Sequence, residues 1–190
     1  VAPGEQQSEA GHEYNYSSNS TKGTYNGESY RDAQSGGYVQ FALYNPDAIS
    51  DDLAIMCRFT TADKGRVATL TVDGKKIADI TIPGSVRNAD NGFYNVEYPI
   101  PASMVKDSKG QVKTKFVVRL SATGSTPNPG LYYLRLVKDY VANPNAYQFH
   151  CTDWVTGDAN RISASNITNS LLVTEDIFYA KVYTRYLKHS

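Results

Sequence analysis

Apolar side chains recur at alternate positions through much of this chain, the period of a strand with one buried face. Almost nowhere do they follow the longer period of an amphipathic helix. Residues 67–82 carry the strand pattern most clearly, with two runs rich in β-branched residues on either side of Asp73-Gly74. An Asp-Gly pair tolerates the positive φ angles of a type I′ turn, whose twist matches that of the strands it joins. The expectation is a tight hairpin.

The same rhythm continues on both sides. Residues 37–44 read as a strand with Val39, Phe41 and Leu43 inward, ended by Asn45-Pro46. Residues 53–59 follow Asp51-Asp52 as an apolar strand, and Asp63-Lys64-Gly65 turns into the hairpin. After a turn cluster at 88–92, residues 93–98 form another strand, closed by Pro99 and Pro101 because proline cannot donate to a ladder. Residues 102–109 read as one helical turn or a loop. Residues 112–120 place Val112, Thr114, Phe116, Val118 and Leu120 on one face and Lys113, Lys115, Val117 and Arg119 on the other. A Gly/Pro/Ser loop precedes a last strong strand at 131–138, while residues 1–37 read as polar loop with short edge strands.

This succession predicts an all-β fold, an antiparallel β-sandwich of jelly-roll type spanning residues 1–138. The texture changes near residues 139–145. Strand candidates at 170–174 and 179–187 suggest that 139–190 is a C-terminal β extension packed on or completing the sandwich.

Composition narrows the function more than the fold. Nineteen basic and nineteen acidic residues cancel, without long runs of either sign, which argues against nucleic acid or an anionic membrane as partner. No segment approaches the ~20 apolar residues of a membrane span. Residues 1–5 read as a mature start or an excised fragment. The two cysteines, Cys57 and Cys151, either form one disulfide or stay free, and the apolar setting of Cys57 favours a buried thiol.

Catalytic patterns do not assemble. His12, His150 and His189 lie far apart and lack the spacing of a transition-metal site. There is no Gly-x-Ser-x-Gly elbow, no phosphate-cradling glycine loop and no Cys/His signature. Glu97, Glu175 and Asp176 are the acid candidates on strands, and a solvent-facing role suits Glu97 best. No cofactor is implied. A structural calcium is the one candidate ion, with Asp153 and Asp158 as its ligands and Asp51-Asp52 and Asp90-Asn91 as further candidates, and turn chemistry is the favoured competing explanation for all three sets.

The 15 tyrosines, against six phenylalanines and one tryptophan, are the remaining signal. Tyr suits half-exposed sheet faces, and with neighbouring polar groups it also stacks on the apolar C–H faces of sugars. Tyr14, Tyr16, Tyr25 and Tyr30 lie in a region rich in Asn and Ser, and Trp154 stands beside Asp153 shortly before Arg161. Tyr25, Tyr30, Asp153, Trp154 and Arg161 are therefore the candidate carbohydrate-binding residues. The competing role for Trp154 is to anchor the C-terminal segment onto the sandwich.

Several stretches resemble a known accessory domain. Pro3-Gly4-Glu5-Gln6-Gln7-Ser8-Glu9, His12, Tyr30-Arg31-Asp32-Ala33 and Gly36-Gly37-Tyr38 look like its opening, and Val72-Asp73-Gly74-Lys75-Lys76-Ile77-Ala78 with Phe93-Tyr94-Asn95-Val96-Glu97-Tyr98-Pro99-Ile100-Pro101 like its middle. The domain is the C-terminal β-module of bacterial glycoside hydrolases similar to family 127 β-L-arabinofuranosidases, of the type common in Bacteroidetes. In those enzymes catalysis resides in a separate helical barrel with a cysteine-ligated zinc, and none of that machinery maps onto this chain. The resemblance covers roughly residues 1–138, a span that suits one compact domain. It implies a non-catalytic accessory module of a secreted or periplasmic polysaccharide-degrading enzyme. Its implied partners are the parent's catalytic domain and a plant-type polysaccharide. The alternative is an autonomous carbohydrate-binding module using exposed Tyr and Trp154.

Overall fold

The computed structural model describes residues 1–87 and 89–138. Their elements are helix α1 (Gln6–Ala10), strands β1 (Asn15–Tyr16), β2 (Ser20–Tyr25), β3 (Glu28–Ala33), β4 (Tyr38–Tyr44) and β5 (Ala54–Thr60), then β6 (Val67–Val72), β7 (Lys75–Thr81) and β8 (Phe93–Pro99). Helix α2 (Ala102–Val105), β9 (Lys115–Ala122) and β10 (Tyr133–Val137) complete them. Every strand pairing is antiparallel. A wide sheet has the order β1-β4-β9-β6-β7, and a narrow one the order β10-β5-β8. Reciprocal backbone bonds between Arg31 and Leu131, at 3.2 and 3.0 Å, tie the β2-β3 hairpin to the narrow sheet.

Alternation builds the core between the sheets. Val39, Phe41 and Leu43 of β4, Ala68, Leu70 and Val72 of β6, and Phe116, Val118 and Leu120 of β9 are buried in one cluster. Ile55, Cys57 and Phe59 of β5 and Leu134 of β10 belong to the same cluster. This is the all-β antiparallel sandwich that the periodicity predicts. The hairpin of residues 67–82 forms with Asp73 at φ 49° and Gly74 at φ 76°, the two positive angles a type I′ turn requires. Its register shifts after Leu70, leaving Ile77 as the extra residue of a bulge.

Two details depart from the pattern, and a third takes one of its alternatives. Residues 1–37 hold, besides loop and the short edge strand β1, a longer β2-β3 hairpin of two six-residue strands and a short helix docked on it through Glu9, which is buried against Arg31. Strand β9 begins at Lys115, so Val112 and Thr114 precede it; Val112 instead bridges to Lys106. The 102–109 segment takes its helical alternative over Ala102–Val105. Among the described residues no helix is long and apolar enough to cross a membrane. The predicted C-terminal extension, 139–190, lies outside the described residues.

Candidate functional site

Two positive-φ turns meet at one end of the narrow sheet. Asn26 (φ 46°) and Gly27 (φ 83°) close the β2-β3 hairpin, so Tyr25 and Glu28 face each other across it. Asn91 (φ 50°) and Gly92 (φ 85°) launch β8. Reciprocal Asp90–Phe93 backbone bonds of 2.9 and 2.8 Å fix where Phe93 starts that strand.

An aromatic cluster fills the space between these turns. Tyr25 meets the Phe93 ring edge-on, with centroids 6.0 Å apart, and Phe93 in turn meets Tyr132 at 4.9 Å. Tyr132 packs on Tyr30 at 5.3 Å. Phe93 and Tyr132 are buried, whereas Tyr25 is 39% exposed. Tyr25 thus offers an open ring held by a rigid aromatic base. The Tyr30 ring lies over Gly23, where a Cβ would come 2.7 Å from the Tyr30 hydroxyl. Tyr132 is held by the loop before it. The Asn128 side chain accepts a 2.7 Å bond from the Ala33 N–H, and Asp63 Oδ2 accepts one of 2.8 Å from the Gly130 N–H.

Polar groups converge on the same cluster. Arg58, at an outward position of β5, stacks over Phe93 at 4.9 Å. It donates from Nε to Glu28 Oε2 at 2.8 Å and from Nη2 to Glu28 Oε1 at 2.6 Å, with a longer 3.4 Å bond from Nη1 to Asn95 Oδ1. Those bonds hold the Glu28 carboxyl below its ordinary pKa and raise that of Arg58. Burial pushes Asp63 upward against its Gly130 bond, and burial also raises the Tyr132 phenol. Beside Arg58 and Asn95 in the strand register stands Tyr133, whose hydroxyl accepts a 3.0 Å bond from Arg135. An open aromatic ring beside fixed donors and acceptors can stack on a sugar face while hydrogen-bonding its hydroxyls.

Of the predicted site residues, the structure brings Tyr25 and Tyr30 into one cluster. Asp153, Trp154, Asp158 and Arg161 lie outside the described residues, as do Glu175 and Asp176. Tyr14 and Tyr16 stack on each other at 5.2 Å at the edge of the wide sheet, with the Arg31 guanidinium 4.1 Å from the Tyr16 centroid. Glu97 is exposed on β8, and the Cys57 thiol is free, fully buried and pushed up in pKa by that burial. Among the described residues no three His, Cys, Asp or Glu side chains gather to hold a metal. Glu28, Arg58, Phe93, Asn95 and Tyr132 escaped the sequence reading. The available signal was Arg58, a lone charge inside the apolar run 53–59.

These sheets define an antiparallel β-sandwich of the architecture found in carbohydrate-binding modules. A family 35 carbohydrate-binding module from Clostridium thermocellum superposes with TM-score 0.50 at 18% identity, covering 73% of this chain and 97% of that one. At that identity the likeness is one of fold. A family 35 module from Paenibacillus barcinonensis aligns with TM-score 0.47, 14% identity and coverage of 66% and 93%. A family 6 module from Clostridium cellulolyticum, solved in complex with xylose, gives 0.44, 14%, and 68% and 94%. The chain belongs to a family of unknown function (DUF6805), whose family model matches residues 1–137. No curated protein matches it.

Proposed function

We propose that this chain is a non-catalytic carbohydrate-binding module, carried as an accessory domain by a secreted or periplasmic polysaccharide-degrading glycoside hydrolase. The observation that carries the reading is the open Tyr25 ring, braced by Phe93 and Tyr132 beside Arg58, Glu28 and Asn95. The sandwich shared with the Clostridium thermocellum module supplies a suitable scaffold. The resemblance to the accessory domain of family 127-like enzymes supplies the parent enzyme, a plant-type polysaccharide as target, and the bacterial setting. Trp154, Asp153 and Arg161 remain proposed contacts, and Asp153 with Asp158 a proposed calcium pair.

Affinity electrophoresis of the full chain in gels containing arabinan, mannan or pectin tests the reading. Retardation by at least one polymer, lost in Tyr25→Ala while the far-UV circular dichroism is unchanged, is the expected result. Migration unaffected by every polymer would reject it. The chain would then serve only to pack against its catalytic partner.

A further inference from the structure

We infer that the Tyr25 surface selects uncharged sugars, and that Glu28 sets this preference by occupying the Arg58 fork. The inference rests on the glycan-binding reading above and sharpens it. An arginine stacked on an aromatic ring beside a binding surface would ordinarily attract a carboxylate or sulfate, because its planar donors match two oxygens at once. Here that edge of the guanidinium is already filled: Nε and Nη2 both bond to Glu28, at 2.8 and 2.6 Å. A third bond, 3.4 Å long, leads to Asn95.

A uronate could reach the fork only by displacing Glu28. That exchange trades one carboxylate for another and leaves the displaced one beside the ligand's like charge, with Asp90 adding to the negative field around Arg58. The neighbouring row of the same sheet gives no cationic excess either, since it pairs Arg135 with Met56 and Met56 with Glu97. An uncharged sugar meets no such penalty. Its hydroxyls can donate to Glu28 and Asn95 oxygens and accept from N–H groups that Arg58 does not spend on Glu28.

The test runs the full chain, Glu28→Gln, Glu28→Ala and Arg58→Met through gels containing neutral arabinan or polygalacturonate, at low and high salt. Wild type should be retarded by the neutral polymer and pass polygalacturonate freely. Both Glu28 variants should gain at least about tenfold in polygalacturonate affinity, the worth of one released charge-assisted bond. High salt should erase that gain, and Arg58→Met should show none. Wild-type retardation by polygalacturonate equal to that by arabinan would overturn the inference while leaving glycan binding intact. So would Glu28 variants of native circular dichroism that gain nothing. If wild type binds neither polymer, the glycan-binding reading fails for these ligands, and the Glu28 variants still decide whether the fork is gated.

Discussion

Arg31 and Glu9 meet through two parallel hydrogen bonds, Nε to Oε1 at 2.6 Å and Nη2 to Oε2 at 2.8 Å, with both side chains exposed by 7% or less. Glu9 belongs to the short helix α1, and Arg31 to the middle of β3. Glu9 Oε1 also accepts the Gly4 N–H at 2.8 Å, so one carboxylate fastens both the entry to the helix and its far end. Removing Glu9 leaves a buried guanidinium without its counter-charge. Glu9→Ala should therefore cost about 3–5 kcal/mol in urea unfolding. The double change Glu9→Leu, Arg31→Met should cost less than Glu9→Ala alone, because it leaves no orphaned charge.

The same pair sets an acid limit. Burial alone would raise the Glu9 pKa, yet the Arg31 and Gly4 bonds outweigh it and hold the carboxyl below its ordinary value. A folded pKa below the unfolded one means that the stabilisation is complete above the unfolded value, about 4.3, and is lost as pH falls through the folded one. Thermal melts of wild type should decline across that acid range, and those of Glu9→Gln should start lower and decline less. Asp63 has the opposite sign, since burial raises its pKa. Its contribution is present below the unfolded pKa, about 3.9, and fades as pH rises through the folded value, so Asp63→Asn should remove the loss of stability that begins just above that pH.

Gly23 tests the aromatic base from beneath. A methyl group there would sit 2.7–2.9 Å from the Tyr30 hydroxyl oxygen and two of its ring carbons, so the ring must move. Gly23→Ala should cost about 1–3 kcal/mol as overpacking. It should also change the near-ultraviolet dichroism, because Tyr30 carries Tyr132 and Tyr132 carries Phe93. An unchanged tyrosine signal would show that the cluster is not a coupled unit.

The sandwich was legible because its signals are local. Alternation in Val39–Phe41–Leu43 and Phe116–Val118–Leu120 names the buried face directly, and Asp73-Gly74 names its turn. The proposed binding surface was legible only at Tyr25 and Tyr30, whose surroundings are polar in sequence. Its other members come from four separated segments, β3, β5, β8 and the loop before β10. Nothing local pairs Arg58 with Glu28, 30 residues away. The helix at Gln6–Ala10 was hidden for a similar reason: five residues carry too little periodicity, and the buried Glu9–Arg31 pair that fixes it is itself long-range.

The hairpin turn at Asp73 separates backbone preference from side-chain bonding. Asp73 adopts φ 49°, and its Oδ1 accepts the Val117 N–H at 2.8 Å, reaching from the β6-β7 turn to β9. Its Oδ2 pairs with Lys113 Nζ at 2.9 Å. Asp73→Ala loses both bonds and places a Cβ residue without local compensation in the left-handed region, so about 1–2 kcal/mol should be lost from that conformation alone. Asp73→Asn keeps the positive-φ tolerance and an oxygen for Val117, and gives up only the Lys113 ion pair, worth about 1 kcal/mol at most. Gly74→Ala meets no atom within 4 Å, so its cost is conformational only and should match the conformational part of the Asp73→Ala loss, about 1–2 kcal/mol, rather than the whole of it. Chemical denaturation of the three variants should therefore rank Asp73→Asn mildest. Equal losses in Asn and Ala would mean that the Lys113 ion pair, rather than the turn geometry, holds β6-β7 against β9.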